Sequence, residues 1–189
     1  MEELTRRIQK EGRNLGKGIL KTDSFINHQI DPALMVQVGQ EMGRRFADAN
    51  VNKVLTAEIS GIAPALATGQ AMDVPVVYAR KTRPVTMTGP VFVEVAPSHT
   101  KGRDVFLMVS TEFLGPGDRV LVVDDFLATG ATISALVRLV RHAGAELVGI
   151  GTVVEKVFEG GRKDLEALGV PIVSLAMVTD MSNGKIILA

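Results

Sequence analysis

The strongest constraint on the fold is an apolar run that ends in two adjacent acids. Val120 to Val123 are four consecutive apolar residues, and a turn signal at 115–118 (Gly-Pro-Gly-Asp) precedes them. A short β-branched run of this kind is typical of a strand buried on both faces of a parallel sheet. Asp124 and Asp125 follow it directly. The run therefore predicts a parallel sheet whose strand end carries two carboxylates.

An anion site is predicted immediately after these acids. The loop consists of small residues, and apolar residues then recur at helical spacing up to Gly144, a predicted helix cap. Small side chains let backbone N–H groups approach a phosphate, and a helix N-terminus contributes about half a positive charge. Neither the lysine-bearing P-loop nor the dinucleotide-binding glycine loop occurs. The residues of this predicted phosphate loop are Ala128, Thr129, Gly130, Ala131 and Thr132.

The paired acids change the expected class of ligand. Asp124 and Asp125 can accept hydrogen bonds from vicinal hydroxyls or hold a magnesium ion, so the strand end indicates a sugar-phosphate site rather than a triphosphate site. The order of apolar run, two aspartates, apolar pair and Ala-Thr-Gly-x-Thr resembles the phosphoribosyl-pyrophosphate signature of the type I phosphoribosyltransferases. An acidic strand end that merely caps an ordinary helix explains the loop but not the two carboxylates.

Strands and helices alternate along most of the chain. Asp31 and Pro32 predict a helix start, because aspartate is a favoured N-cap and proline suits the first turn. The regular alternation predicts an α/β fold with a doubly wound, mostly parallel sheet, whose ligands bind beyond the carboxyl ends of the strands. Besides 120–123, the predicted strands are 53–58, 74–78, 146–154 and 170–178, and the polar residues at strand ends are Glu58, Arg80, Asp124 and Glu155.

Two segments depart from this alternation. After the basic cluster of Arg80, Lys81 and Arg83, residues 85–109 alternate as two short strands, which predicts an antiparallel flap, flexible over about 82–109. Because its neighbours are basic, we expect the flap to close as a lid that covers a pyrophosphate leaving group. The alternative is a plain surface hairpin. The segment 19–32 mixes apolar and polar residues without a period, and it is either a packed loop or a connector that turns Asn27 and His28 toward a ligand.

Composition limits the function classes. A chain of 189 residues with 46% hydrophobic content fits one domain, 1–189. The formal net charge is zero, which disfavours non-specific nucleic-acid binding. No cysteine is present, so a thiol nucleophile and a disulfide framework are excluded. The amino terminus lacks the apolar core of a signal peptide and no apolar run approaches the about 18 residues of a membrane span, so a cytoplasmic location without membrane contact is expected.

Across almost its whole length the sequence resembles the bacterial xanthine enzymes of the phosphoribosyltransferase family. The resemblance is carried by the connector 20–32 and by the segments 60–64, 80–81, 124–132 and 155–162. It implies a hood from about 1–32 plus the C-terminal segment, Mg²⁺ that arrives with phosphoribosyl pyrophosphate rather than in a dedicated protein site, and a homodimer.

The same resemblance implies roles for individual residues. The loop 128–132 would hold the 5′-phosphate, and Asp124 and Asp125 would meet the ribose hydroxyls. Arg80 and Lys81 would assist the departing pyrophosphate, and the loop that approaches pyrophosphate often contains a cis peptide bond. The pyrophosphate loop would comprise Glu58, Ile59, Ser60 and Gly61, and the purine-binding set would comprise Leu20, Asn27 and Lys156.

Two residues give opposite indications about the base. Hypoxanthine-guanine enzymes usually have an aspartate where this chain has Ala128. The loop alone therefore indicates adenine as the substrate base, and the aspartate that usually serves as general base is missing from it. Lys156 indicates a 6-oxopurine, because an ammonium has three donors and no acceptor and therefore opposes the amino group of adenine. The sequence thus favours transfer of the phosphoribosyl group to xanthine, with guanine, hypoxanthine or adenine as the alternatives.

A regulator that senses phosphoribosyl pyrophosphate is a further alternative from a different class. Such a protein would need a DNA-binding module ahead of the core. Only about 30 residues precede the first long helix, and they lack a helix-turn-helix pattern. An enzyme is therefore the favoured prediction.

Overall fold

The computed structural model describes residues 1–97 and 104–189. The α-helices in these ranges are α1 (Glu2–Glu11), α2 (Pro32–Arg45), α3 (Ile62–Met72), α4 (Ala131–His142) and α5 (Gly161–Glu166). The strands are β1 (Arg13–Asn14), β2 (Leu20–Lys21), β3 (Lys53–Ala57), β4 (Val76–Ala79), β5 (Val91–Ala96), β6 (Val105–Ser110), β7 (Arg119–Leu127), β8 (Glu146–Lys156), β9 (Ile172–Asp180) and β10 (Ile187–Leu188).

The central sheet has the strand order β10-β9-β8-β7-β3-β4. Neighbouring strands are parallel except β10, which pairs antiparallel with β9. Strands β4 and β9 each begin two residues later than predicted, directly after Pro75 and Pro171. Proline has no backbone N–H, so the regular ladder starts behind it. The predicted mostly parallel sheet is confirmed.

Helices cover both faces of this sheet. Leu121 and Val123 of β7 pack into one hydrophobic cluster with α1, α2 and α3, whereas Val120 and Val122 pack into a second cluster with α4 and β6. This alternation of side chains is the period-two geometry of a strand buried on both faces. The doubly wound arrangement predicted from the sequence is therefore confirmed.

The start of α2 follows the prediction from local chemistry. Asp31 Oδ1 accepts hydrogen bonds from Ala33 N at 3.0 Å and Leu34 N at 3.1 Å, and Pro32 occupies the first helical position. These bonds satisfy two backbone donors that a helix start leaves without partners. The helix then buries Leu34, Val38 and Met42 against the sheet, with Phe46 beyond its end.

The amino-terminal segment lies over the carboxyl end of the sheet next to the C-terminal segment. Strands β1 and β2 form a small antiparallel pair, and the Asn14 side-chain amide donates to the carbonyl oxygens of Met181 at 2.6 Å and Lys185 at 3.0 Å. The two ends of the chain are thereby joined. No helix in the described ranges is both long enough and apolar enough to cross a membrane.

The predicted flap contains an antiparallel pair of strands. Val91 to Ala96 pair with Val105 to Ser110, and Met108 of β6 also exchanges two backbone hydrogen bonds of 2.8 Å with Arg80 at the end of β4. The base of the flap is thus fixed to a strand end of the main sheet. Residues 98–103 of the predicted flap lie outside the described ranges.

Candidate active site

The small-residue loop after β7 is positioned by a tight turn into α4. Gly130 has φ of +79°, a conformation that glycine adopts at low cost. Its carbonyl oxygen accepts from Ser134 N at 2.8 Å as the helix begins. The free amides of the first helical turn therefore face outward from the loop, where they can bind an anion.

This phosphate loop forms one wall of a cavity of about 550 Å³. The opposite walls come from separate parts of the chain: Lys17 to Ile19 of the hood, Lys81 after β4, and Lys156 at the end of β8. Leu107 and Ala96 of the flap strands close one side. The cavity thus combines backbone donors with cationic side chains, which suits a phosphorylated ligand.

Asp124 and Asp125 lie at the end of the same strand but are buried, and they are not among the residues that line the cavity. Asp125 Oδ2 accepts a 2.6 Å hydrogen bond from Asn27 Nδ2, and the Thr22 hydroxyl donates to Asn27 Oδ1. Asn27 thereby joins the hood to the acid pair, and its contact with the base stays a prediction. Leu20, also predicted to contact the base, is buried in the core.

Burial raises the pKa of Asp124 well above its usual value, and the neighbouring charge of Asp125 raises that pKa further. The loop 58–61, which is predicted to approach pyrophosphate, contributes to the burial, because Gly61 lies directly against this acid. A Cβ added to Gly61 would be 2.7 Å from Asp124 Oδ1 and 2.2 Å from Thr56 Oγ1. The close approach of the loop to the acid therefore requires glycine at position 61.

The raised pKa of Asp124 predicts a gain in stability for Asp124→Asn. A carboxyl whose folded pKa exceeds its unfolded value stabilises the fold below the unfolded pKa of about 4, and that contribution is lost as pH rises through the folded pKa. Asparagine does not ionise, so thermal melts should show Asp124→Asn more stable than the native protein at pH 8 by roughly 1 kcal/mol, with the difference vanishing near pH 4.

Asp125→Asn is the matched control for this experiment. It removes a neighbouring carboxyl of the same type, but the carboxylate of Asp125 already has the Asn27 amide as its donor. It also removes the neighbouring charge that raises the pKa of Asp124, so at pH 8 we expect a gain in melting temperature that is smaller than the gain of Asp124→Asn. Equal melting temperatures for the native protein and Asp124→Asn across the whole pH range would contradict the prediction.

The pyrophosphate loop, 58–61, begins with a cis peptide bond between Glu58 and Ile59. The Glu58 carboxylate accepts from Lys81 N at 2.6 Å, and its other oxygen lies 2.8 Å from Arg80 Nε. Glu58 therefore holds the segment that carries both predicted cations.

The two cations at the end of β4 face different regions. Lys81 lines the cavity of the phosphate loop, whereas the Arg80 guanidinium lies 5.6 Å from the Tyr78 ring centroid and lines a second cavity of about 540 Å³. The guanidinium of Arg83 donates to the carbonyl oxygens of Met87 at 2.9 Å and Gly89 at 2.7 Å, so it organises its own loop. Of this basic cluster, the structure brings Lys81 to the phosphate loop.

Lys156 reaches the cavity from the end of β8. Its ammonium donates to Gly18 O at 3.0 Å and forms an ion pair with Glu159, three residues further along the chain. The neighbouring Glu155 does not compete for it, because the Arg162 guanidinium binds the Glu155 carboxylate at 2.8 and 2.5 Å. The ammonium is therefore held at the cavity wall between the hood and the turn after β8.

The turn after β8 also supports the phosphate loop from behind. Gly161 N donates to Ala128 O at 3.1 Å, and a Cβ at Gly161 would be 2.3 Å from that oxygen and 2.5 Å from Gly130 N. The ion pair of Arg162 with Glu155 fixes the turn against the sheet. The motif 155–162 thus connects the strand end that carries Lys156 with the loop 128–132.

Sequence reasoning missed two parts of the cavity wall. Lys17 and Gly18 lie in the turn between β1 and β2, and the local signal for them was the pair of glycines at 16 and 18, of which Gly18 has φ of +73°. Glu159 had a signal, because an acid three residues after a lysine can pair with it across one helical turn.

Comparisons with known proteins agree with this geometry. Residues 34–173 match the family model described as a phosphoribosyl transferase domain. The chain is 50% identical to the xanthine phosphoribosyltransferase of Deinococcus deserti, over 97% of this chain and 95% of that protein. It is 44% identical to the xanthine phosphoribosyltransferase of Listeria monocytogenes, over 99% of this chain and 97% of that protein.

Solved structures with a similar fold include adenine phosphoribosyltransferases. The enzyme of Rhodothermus marinus superposes with a TM-score of 0.69 at 30% identity, over 78% of this chain and 81% of that one. The enzyme of Thermoanaerobacter pseudethanolicus superposes with a TM-score of 0.75 at 24% identity, over 93% and 98%. At 24% identity, the similarity to the Thermoanaerobacter enzyme shows a shared fold.

Proposed function

The chain belongs to the phosphoribosyltransferase family, and from that membership we infer that it transfers the 5-phosphoribosyl group of 5-phosphoribosyl 1-pyrophosphate to xanthine. The products are xanthosine 5′-monophosphate and pyrophosphate, a reaction of purine salvage. The observation that carries this inference is the single cavity whose walls bring together the phosphate loop, 128–132, and the ammonium of Lys156.

The reaction is a displacement at the anomeric carbon of the ribose. A purine ring nitrogen forms the new bond to carbon, the bond to pyrophosphate breaks, and the purine loses a proton. Positive charge develops on the ribosyl ring and negative charge on the leaving group, so positioning and electrostatics supply the rate. The loop amides hold the 5′-phosphate, and Lys81 offers a positive charge to the pyrophosphate.

Mg²⁺ is proposed to enter with phosphoribosyl pyrophosphate. The adjacent carboxyl groups of Asp124 and Asp125 are hard oxygen donors, and they directly precede Phe126, which lines the cavity, so this strand end suits a magnesium-bearing sugar phosphate. The ion supplies charge neutralisation at the pyrophosphate. The acids would orient the ribose hydroxyls, and flap strands β5 and β6 are proposed to exclude water as a lid. We also propose that the protein is a homodimer and that it is located in the cytoplasm.

The choice of base rests on Lys156 rather than on Ala128. An ammonium donates to the 6-oxo group of xanthine, and the relatives named for xanthine are 44 to 50% identical over nearly the full chain. The structural neighbours named for adenine are 30% identical or less, and they share the fold. Both observations favour a 6-oxopurine.

A panel of nucleobases tests the assignment directly. The protein would be supplied with phosphoribosyl pyrophosphate, Mg²⁺ and one of xanthine, guanine, hypoxanthine or adenine, and the nucleotide product would be measured. The highest kcat/KM is expected with xanthine. Nucleotide formed fastest from adenine would contradict the base assignment, and no nucleotide from any base would contradict the activity.

Asp124→Asn/Asp125→Asn is the control variant for the panel. It should still fold, because both acids are replaced by residues of the same size, but it should bind phosphoribosyl pyrophosphate with Mg²⁺ far more weakly in calorimetry. Undiminished affinity in a folded double variant would remove these acids from the site.

A further inference from the structure

Glu159 lies in the wall of the cavity, next to the residue that is proposed to read the base. Its carboxylate forms an ion pair with Lys156, and its side chain is only 24% exposed. The Gly18 carbonyl oxygen accepts from the same ammonium at 3.0 Å. A Cβ on Gly18 would be 3.5 Å from Glu159 Oε1, so both acceptors approach the ammonium from the hood side.

These contacts leave the ammonium with one donor for a ligand. A lysine ammonium has three N–H groups, and Gly18 and Glu159 occupy two of them. Among residues 1–97 and 104–189 no acceptor takes the third, so it can meet the 6-oxo group of a purine. The geometry therefore orients Lys156 for one hydrogen bond, which every 6-oxopurine can accept.

Glu159 also changes the electrostatic potential at the base. Among the residues described as lining the cavity, the other charged side chains are Lys17 and Lys81, both cationic. The carboxylate of Glu159 is adjacent to Lys156 and offsets its charge where the base would lie. A base that carries a negative charge consequently gains less from Lys156 than it would from an isolated ammonium.

We propose that Glu159 is a specificity-determining residue that limits the preference of the site for an anionic 6-oxopurine over a neutral one. This inference rests on the proposed function, because it requires that Lys156 binds the 6-oxo group. Xanthine loses a proton near neutral pH, whereas hypoxanthine stays neutral there. Both bases present the same 6-oxo acceptor. The ratio of their kcat/KM values therefore separates the effect of charge from the effect of orientation.

The test compares kcat/KM for xanthine and hypoxanthine in the native enzyme and in Glu159→Gln. Glutamine keeps the length of the side chain and an oxygen that can accept from Lys156, but it removes the negative charge. A unit charge about 4 Å away is worth about 1 kcal/mol in water-like surroundings, which corresponds to about fivefold. We expect the xanthine-to-hypoxanthine ratio to rise about fivefold at pH 8 and to change little at pH 6, where xanthine is neutral.

Glu159→Ala separates orientation from charge. This variant removes both the charge and the acceptor that holds the Lys156 ammonium in place. KM for both bases should therefore rise about tenfold, while KM for phosphoribosyl pyrophosphate stays unchanged. The matched control is Asp164→Asn, which removes a carboxylate at an exposed position of α5 outside the cavity wall. Its base ratio should equal that of the native enzyme.

Each outcome decides between distinct conclusions. A native enzyme that converts xanthine, together with a ratio in Glu159→Gln that does not change at pH 8, would overturn the role of Glu159 and leave the proposed function intact. Equal losses on both bases at both pH values would do the same, because they indicate a purely structural role. A native enzyme that converts no 6-oxopurine would overturn both proposals.

Discussion

Replacing Lys156 with alanine is expected to lower kcat/KM for xanthine by roughly one to three orders of magnitude. The lost interaction is a charge-assisted hydrogen bond of about 1.5 to 3 kcal/mol, and some misplacement of the base adds to the loss. The ammonium also holds the Gly18 carbonyl, so its removal loosens the hood at the base site. Steady-state kinetics with xanthine as the varied substrate measure the effect.

The same variant should bind phosphoribosyl pyrophosphate with nearly native affinity in calorimetry. The phosphate loop contacts Gly161 rather than Lys156, so the loop keeps its support. Lys163→Ala is the matched control, because it removes an exposed lysine of α5 outside the cavity wall. Full activity of Lys156→Ala on xanthine would show that this residue does not read the base.

Adenine is expected to be a poor substrate for the same reason. The free donor of Lys156 would find no acceptor at the amino group of adenine. Where such a contact is fully buried, the mismatch lowers kcat/KM on the order of 10⁴-fold. Because the Lys156 side chain is 15% exposed, the discrimination should fall below that limit. Lys156→Ala should therefore narrow the gap between xanthine and adenine.

Replacing Gly161 with alanine is expected to weaken binding of phosphoribosyl pyrophosphate by about 100-fold. The new methyl would lie 2.3 Å from Ala128 O and 2.4 Å from Thr129 C, which are backbone atoms of the phosphate loop. The loop must shift, and a displacement of about 1 Å in a positioning element can cost roughly 10²-fold. Overpacking should also destabilise the fold by about 1 to 3 kcal/mol.

Gly160→Ala is the matched control for this variant. Gly160 has φ of +75° and no atom within 4 Å of an added Cβ, so alanine there introduces backbone strain of about 1 kcal/mol without a clash against the loop. Calorimetry should give nearly native affinity for phosphoribosyl pyrophosphate in this control. Similar affinities for the two alanine variants would show that Gly161 does not position the loop.

Local sequence patterns were sufficient to predict the main sheet and the small-residue loop between β7 and α4. The run from Val120 to Val123 and the acids that follow it form one continuous strand end, so their relative placement is determined within a few residues. The cap of α2 by Asp31 depends on neighbours only two and three positions away. Such features follow from the sequence because the interacting groups are close along the chain.

The partners of the site residues were decided by the tertiary structure. The side-chain amide of Asn27 binds Asp125, 98 positions later in the chain, and no local pattern pairs these two residues. Arg80 and Lys81 are adjacent in sequence but line different cavities, since the backbone bridge to Met108 fixes how this strand end leaves the sheet.

The sequence predicted which segments contribute to the site, but not how their side chains meet in one cavity. Its walls come from the hood, the end of β4, the phosphate loop and the end of β8, which meet only when the parallel strands are aligned in the sheet. Sequence patterns therefore determined which elements form and which strand end carries the acids. Packing of distant elements determined that Gly18 and Glu159 both bind the ammonium of Lys156. The direction of a side chain at a strand end depends on the space that the neighbouring strands and loops leave for it.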